Sequence, residues 1–247
     1  MNKIVKFQLL IFVFFCLYFI FRLITVSSLH LSVWQSVYWG NIIKDSFFLL
    51  ISLVLTYCLF NLLRLNQPTG PSIIQGSQLK FGLFFLLGLW WLAVILHLLF
   101  DSVKLILPLY QLDFYHWADF LDETISHIFL YIPIIIVSVI GLLLEIERPS
   151  QSGLTKLELI IIIGFGLLAG IMFGLNLTEG RLSLQTSFPA MILYLCLFFY
   201  LTVKYRLNLK HYPYGLSYAI VYLFASLSFI FWGLTFHSFP EFFNYLK

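Results

Sequence analysis

The chain has 247 residues, of which 61% are hydrophobic and 10% charged, and its formal net charge is +3. A soluble domain carries about 25% charged and 45–50% apolar residues, so this composition excludes a soluble domain of any size and makes lipid the expected solvent. The small, scattered positive charge, with no basic run interleaved with aromatics, argues against a nucleic-acid partner.

Crossing about 30 Å of hydrocarbon takes roughly 20 helical residues at 1.5 Å rise. In chain order that length is met at 4–26, 46–64, 80–100, 123–146, 155–176, 187–204 and 214–236. Within a bilayer every backbone polar group needs an internal partner, and unbroken apolar runs rather than alternating ones select helices over a barrel. The expected fold is all-α: a polytopic membrane protein, one domain over 1–247, formed by a single bundle of about seven transmembrane helices.

The first span is flanked by Lys3 and Lys6 in the manner of a secretory signal. Its apolar stretch is longer than an h-region and no small-residue cleavage site follows, so it is read as a retained helix. The connection 30–40, HLSVWQSVYWG, carries Trp34 and Trp39 and is expected to lie along the membrane interface as a short helix. Residues 65–79, RLNQPTGPSIIQGSQ, read as a solvated loop. Cys16, Cys58 and Cys196 all fall within spans, which leaves no disulfide framework or thiolate metal site. In the fifth span Gly166, Gly170 and Gly174 repeat every fourth residue, a spacing that lets two helices approach closely. The first expectation is packing within the bundle; a homo-oligomer seam, or a groove for an acyl chain, is the other use of such a face. No internal repeat and no span broken by a Pro-Gly pair supports an inverted-repeat transporter.

Lys3, Lys6, Arg64, Lys80, Arg148, Lys156, Lys204, Arg206 and Lys210 fall on the side of the N-terminus, nine bases against five (Arg22, Lys44, Lys104, Arg181 and Lys247) on the other. The positive-inside bias therefore predicts a cytoplasmic N-terminus and an external C-terminus. Acids and histidines segregate oppositely, with eight of eleven acids and five of six histidines outside, where only His211 is missing. His97 and Asp101 are four apart at the outer end of the third span, and His116, Asp119, Glu123, His127 and Tyr131 follow at steps of three and four into the fourth. On α-helices each set shares a face. Because the two spans join on this side, His97, Asp101, Glu123 and His127 form a candidate ligand set for a divalent metal such as zinc. Glu179 or Asp122 would serve as general base toward a metal-activated water, with Arg181 and His237 on the same side. The competing reading is that outer loops depleted of bases accumulate acids by default, and that the stripe is a solvated helix face.

HExxH, GxSxG, a Walker loop and GxGxxG are all missing. In architecture alone the chain is similar to the seven-helix metal-dependent lipid hydrolases that include alkaline ceramidases and adiponectin-receptor-like proteins. It departs from their pattern at Ala93, where a Ser four before the histidine is expected, and at His237, which lacks a second histidine four residues away. Two functions are carried forward: a membrane-embedded metal-dependent hydrolase acting on lipid at the non-cytoplasmic face, or a non-enzymatic subunit or carrier whose outer acids bind a partner or cation. Membrane lipids are partners in either case.

Overall fold

The computed structural model describes residues 2–10, 13, 32–34, 37–38, 76–106, 112–180, 182–236 and 239. The helices are α1 (3–10), α2 (Gly76–Ile106), α3 (Leu112–Phe120), α4 (His127–Glu147), α5 (Lys156–Asn176), α6 (Ser187–Tyr205) and α7 (Pro213–Phe236). Between α3 and α4 the helix continues without a break as a π-helical segment, Leu121–Ser126. Among the described residues, four helical stretches are long and apolar enough to cross a membrane: Asp113–Glu147, Lys156–Asn176, Ser187–Tyr205 and Pro213–Phe236. The expected span 80–100 lies inside α2, whose described apolar stretch, Phe81–His97, is shorter. The expected span 46–64 lies outside the described residues, and of 4–26 only residues 4–10 and 13 are described, all of them helical.

One local expectation fails. Within 30–40 the structure has two short antiparallel strands, β1 (Ser32–Trp34) and β2 (Val37–Tyr38), paired Ser32 with Tyr38 and Trp34 with Val37. The two strands are rich in β-branched and aromatic residues (Val33, Trp34, Val37 and Tyr38), which favour a pleated strand over a helix.

α2 and α4 run antiparallel, joined by a core of Leu83, Val137 and Leu144. The main core lies between α4, α6 and α7 and is built on Tyr131, Ile135, Leu142, Tyr194, Phe198, Tyr222 and Phe229. Hydroxyls in it are satisfied locally: Tyr222 donates to Ser138 Oγ at 3.0 Å, and Ser138 donates to the Ile135 carbonyl at 2.7 Å. α5 and α7 pack most intimately. Gly166, Gly170 and Gly174 are buried, and a Cβ added at Gly166 would stand 2.5 Å from Ile220 Cγ2, and one at Gly170 2.5 Å from the Val221 carbonyl. At Gly174 it would meet Ser228 Oγ and the Ala225 carbonyl. Within one chain, therefore, the glycine face is filled by α7.

At the end where the chain enters, loops are tied together. Ser150 N–H donates to the His211 carbonyl at 2.9 Å, Leu154 N–H to the Lys210 carbonyl at 2.9 Å, and His211 Nδ1 lies 2.7 Å from the Ser150 carbonyl. Thr155 starts α5 with a capping box: its hydroxyl accepts from Glu158 N–H at 3.3 Å while Glu158 accepts from Thr155 N–H at 3.0 Å.

Candidate functional site

The opposite end of the bundle gathers the polar side chains. His97 is carried by α2, Asp122 and Glu123 by the π segment, and His127 and Tyr131 by the first turns of α4. An α-helix places residues three and four apart on one face, but i→i+5 bonding admits one more residue per turn and shifts the phase of everything before it. That shift turns Asp122 inward. Its side chain is 1% exposed and its Oδ1 lies 2.6 Å from His97 Nδ1. Ser126 Oγ donates to the Asp122 backbone carbonyl and holds the turn from within.

His127 is 4% exposed and its ring centroid is 5.2 Å from that of His97. Its Nδ1 lies 3.1 Å from the Glu123 backbone carbonyl and 3.9 Å from Glu123 Oε2. Tyr131 stacks on it with rings 12° from parallel and 5.9 Å apart, and donates its hydroxyl to the Asn176 carbonyl at 3.0 Å. The turn Leu177–Glu179 and Gly180 close over the far side. A Cβ at Gly180 would stand 3.0 Å from His127 Cβ, so the backbone there packs against the imidazole.

In both histidines Nδ1 faces an oxygen acceptor, a carboxylate for His97 and a backbone carbonyl for His127. A neutral imidazole that donates from Nδ1 carries its lone pair on Nε2, the tautomer of a histidine that takes up a proton or binds a metal through Nε2. The His97 side chain is 33% exposed, so His97 is reachable while His127 and Asp122 are buried.

The helical spacing paired His97 with Asp101 and Glu123 with His127; the geometry across helices pairs His97 with Asp122. Asp122, expected as a spare base, is committed to His97. Glu123 lies against Nδ1 of His127, the atom that already faces the backbone carbonyl, so the two do not form a clamp open to a third atom. The backbone of Asp101 is one turn beyond His97 in α2 and that of Glu179 is in the turn beside Gly180, while their side chains, with Arg181 and His237, lie outside the described residues. His116 is exposed on α3 against Tyr115 rather than with the pair. Among the described residues no group of three or more His, Cys, Asp or Glu side chains is arranged to hold a metal ion.

One carboxylate went unremarked in the sequence. Glu145, 5% exposed near the end of α4, accepts from Tyr214 N–H at 2.9 Å and Gly215 N–H at 2.8 Å. It thereby caps the first turn of α7 from another helix. Its signal was legible: it is the first acid after Glu123 in an otherwise apolar run, and an ionisable residue within a span defaults to a role. Comparison with protein-family models, with curated proteins and with solved structures finds no match to this chain.

Proposed function

We propose that the chain is a multi-pass membrane protein, a single bundle of seven spans with a cytoplasmic N-terminus and an external C-terminus. Its non-cytoplasmic end carries a hydrolytic site for a lipid or other amphiphile. The reading rests on one observation, the 2.6 Å contact between His97 Nδ1 and the buried Asp122 carboxylate. A carboxylate on one imidazole nitrogen fixes the tautomer and stabilises the imidazolium formed when the other nitrogen takes a proton, which is the arrangement of a general base. Asp122 is then a positioning acid, and His97 takes a proton from the attacking water and returns it to the leaving group. An amphiphile is the substrate class proposed because His97 lies at the end of a bundle of helices apolar enough to cross a membrane.

A second reading is favoured by the neighbouring imidazole. With both Nδ1 atoms on acceptors and the rings 5.2 Å apart, His97 and His127 would supply nitrogen ligands to a divalent metal such as zinc, with Asp101 or Glu179 as an oxygen ligand. Such an ion would supply an activated water.

Purified protein in mixed micelles with labelled glycerophospholipids and acylglycerols tests the first reading. Hydrolysis should fall about 10²–10⁴-fold in His97→Ala and less in Asp122→Asn; equal turnover in wild type and His97→Ala sinks it. Elemental analysis tests the second: stoichiometric metal lost in His127→Ala and kept in His30→Ala supports it, and equal content in both refutes it.

A further inference from the structure

The end of the bundle opposite the histidines presents basic side chains to its surroundings. Lys3, Lys6, Lys156, Lys204, Arg206 and Lys210 are all exposed there. The acids of the same end are turned inward. Glu145 spends both oxygens on the N–H groups that open α7, and Glu158, 8% exposed, accepts from Thr155 and, at 2.6 Å, from Asn2 N–H. Glu147 is half-buried, and Arg148 offsets it in charge. What remains accessible is cationic, and the hydrogen bonds between the 148–155 and 207–212 loops hold part of it on a fixed platform. Lys204 Nζ lies 5.3 Å from the Tyr200 ring and 5.4 Å from the Tyr205 ring, and both tyrosines are more than half exposed. A cation flanked by exposed tyrosines at a helix end is the composition of the headgroup layer.

We propose that this basic face binds the phosphate headgroups of anionic phospholipids. The inference rests on the reading that the helices span a bilayer. Clusters of four to eight bases bordering a span attract anionic headgroups, by roughly fivefold in partition per base at low ionic strength. Here the fold removes the competing carboxylates by using them as caps.

The test has two stages. Alkaline carbonate extraction of membranes comes first, and release of the full chain refutes the spanning reading itself. Native mass spectrometry of the detergent-purified chain with equimolar phosphatidylglycerol and phosphatidylcholine then reads lipid preference. Phosphatidylglycerol adducts should dominate, should fall roughly a hundredfold relative to phosphatidylcholine in Lys204→Gln/Arg206→Gln/Lys210→Gln, and should weaken in high salt. Lys3→Gln/Lys6→Gln/Lys156→Gln provides an independent variant should the first fail to fold, with a loss of similar size. Equal adducts of the two lipids in the wild type, an unchanged preference in a folded triple variant, or full displacement of the lipid by inorganic phosphate alone would overturn the proposal.

Discussion

Substituting Gly170 by alanine tests the packing of α5 on α7 with the smallest possible perturbation. The new Cβ would stand 2.5 Å from the Val221 carbonyl oxygen, 2.7 Å from Phe224 Cβ and 3.2 Å from Ala225 N. Two of these three neighbours are backbone and cannot rotate aside. Restoring ordinary carbon contacts of about 3.5–4.0 Å requires the helices to part by on the order of 1 Å, and overpacking of this kind costs about 1–3 kcal/mol. Against it stands the gain of about 0.5–1 kcal/mol from replacing a mid-helix glycine by alanine. Gly164→Ala isolates that gain, because a Cβ there meets nothing within 4 Å. The difference between the two variants is therefore the packing term alone, about 1–3 kcal/mol, or roughly 2–12 °C in midpoint for a chain of this size. Thermal unfolding in detergent reads it, and coincident midpoints for Gly170→Ala and Gly164→Ala would refute the packing of α5 against α7.

Three further outcomes follow from the same structure. Glu145→Gln retains one acceptor oxygen where the Tyr214 and Gly215 N–H groups need two; a loss of about 1–3 kcal/mol is expected in the same melt, and a variant as stable as wild type would show that the cap contributes nothing. A double-mutant cycle of Tyr222→Phe with Ser138→Ala should give a coupling of about 0.6 kcal/mol and at most about 1.7, the range of hydrogen bonds between helices in membranes, and strictly additive effects would deny the bond. A reporter fused after Lys247 should read external, and a cytoplasmic reading would mean that either the number of spans or their orientation is wrong.

Four of the seven expected spans coincide with described helices long and apolar enough to cross a membrane, because a long apolar run has few alternatives in lipid, and the glycine spacing in α5 reports its close packing on α7. The pairing at the site is legible only in part. α-Helical steps from His116 to His127 put Glu123 beside His127, where its Oε2 lies 3.9 Å from Nδ1, but they do not bring Asp122 to His97, because nothing in LDETIS announces a π segment. The partner of His97 was likewise sought four residues away on its own helix, at Asp101, since sequence spacing reports neighbours along a helix and says nothing of those across one. Residues 30–40 differ for another reason: reading an interfacial helix from two tryptophans passes over the β-branched and aromatic enrichment that favours the strands Ser32–Trp34 and Val37–Tyr38.

The two ends of the bundle use their carboxylates in opposite ways, and this divides their chemistry. At the end where the chain enters, Glu145 and Glu158 accept from backbone N–H groups at helix starts; a carboxyl whose oxygens are engaged by such donors has little capacity left for a ligand. At the other end, Asp122 faces an imidazole, whose own second nitrogen can exchange a proton or accept a ligand. The same residue type is thus architectural in one place and coupled to a reactive group in the other. Histidine follows the same division. His211 sits among loops with Nδ1 on the Ser150 carbonyl, which locks two loops together, whereas His97 sits between a carboxylate and a second imidazole. The proposed proton-transfer chemistry therefore falls at the histidine-bearing end, and the proposed attraction of anions at the end whose acids serve as caps.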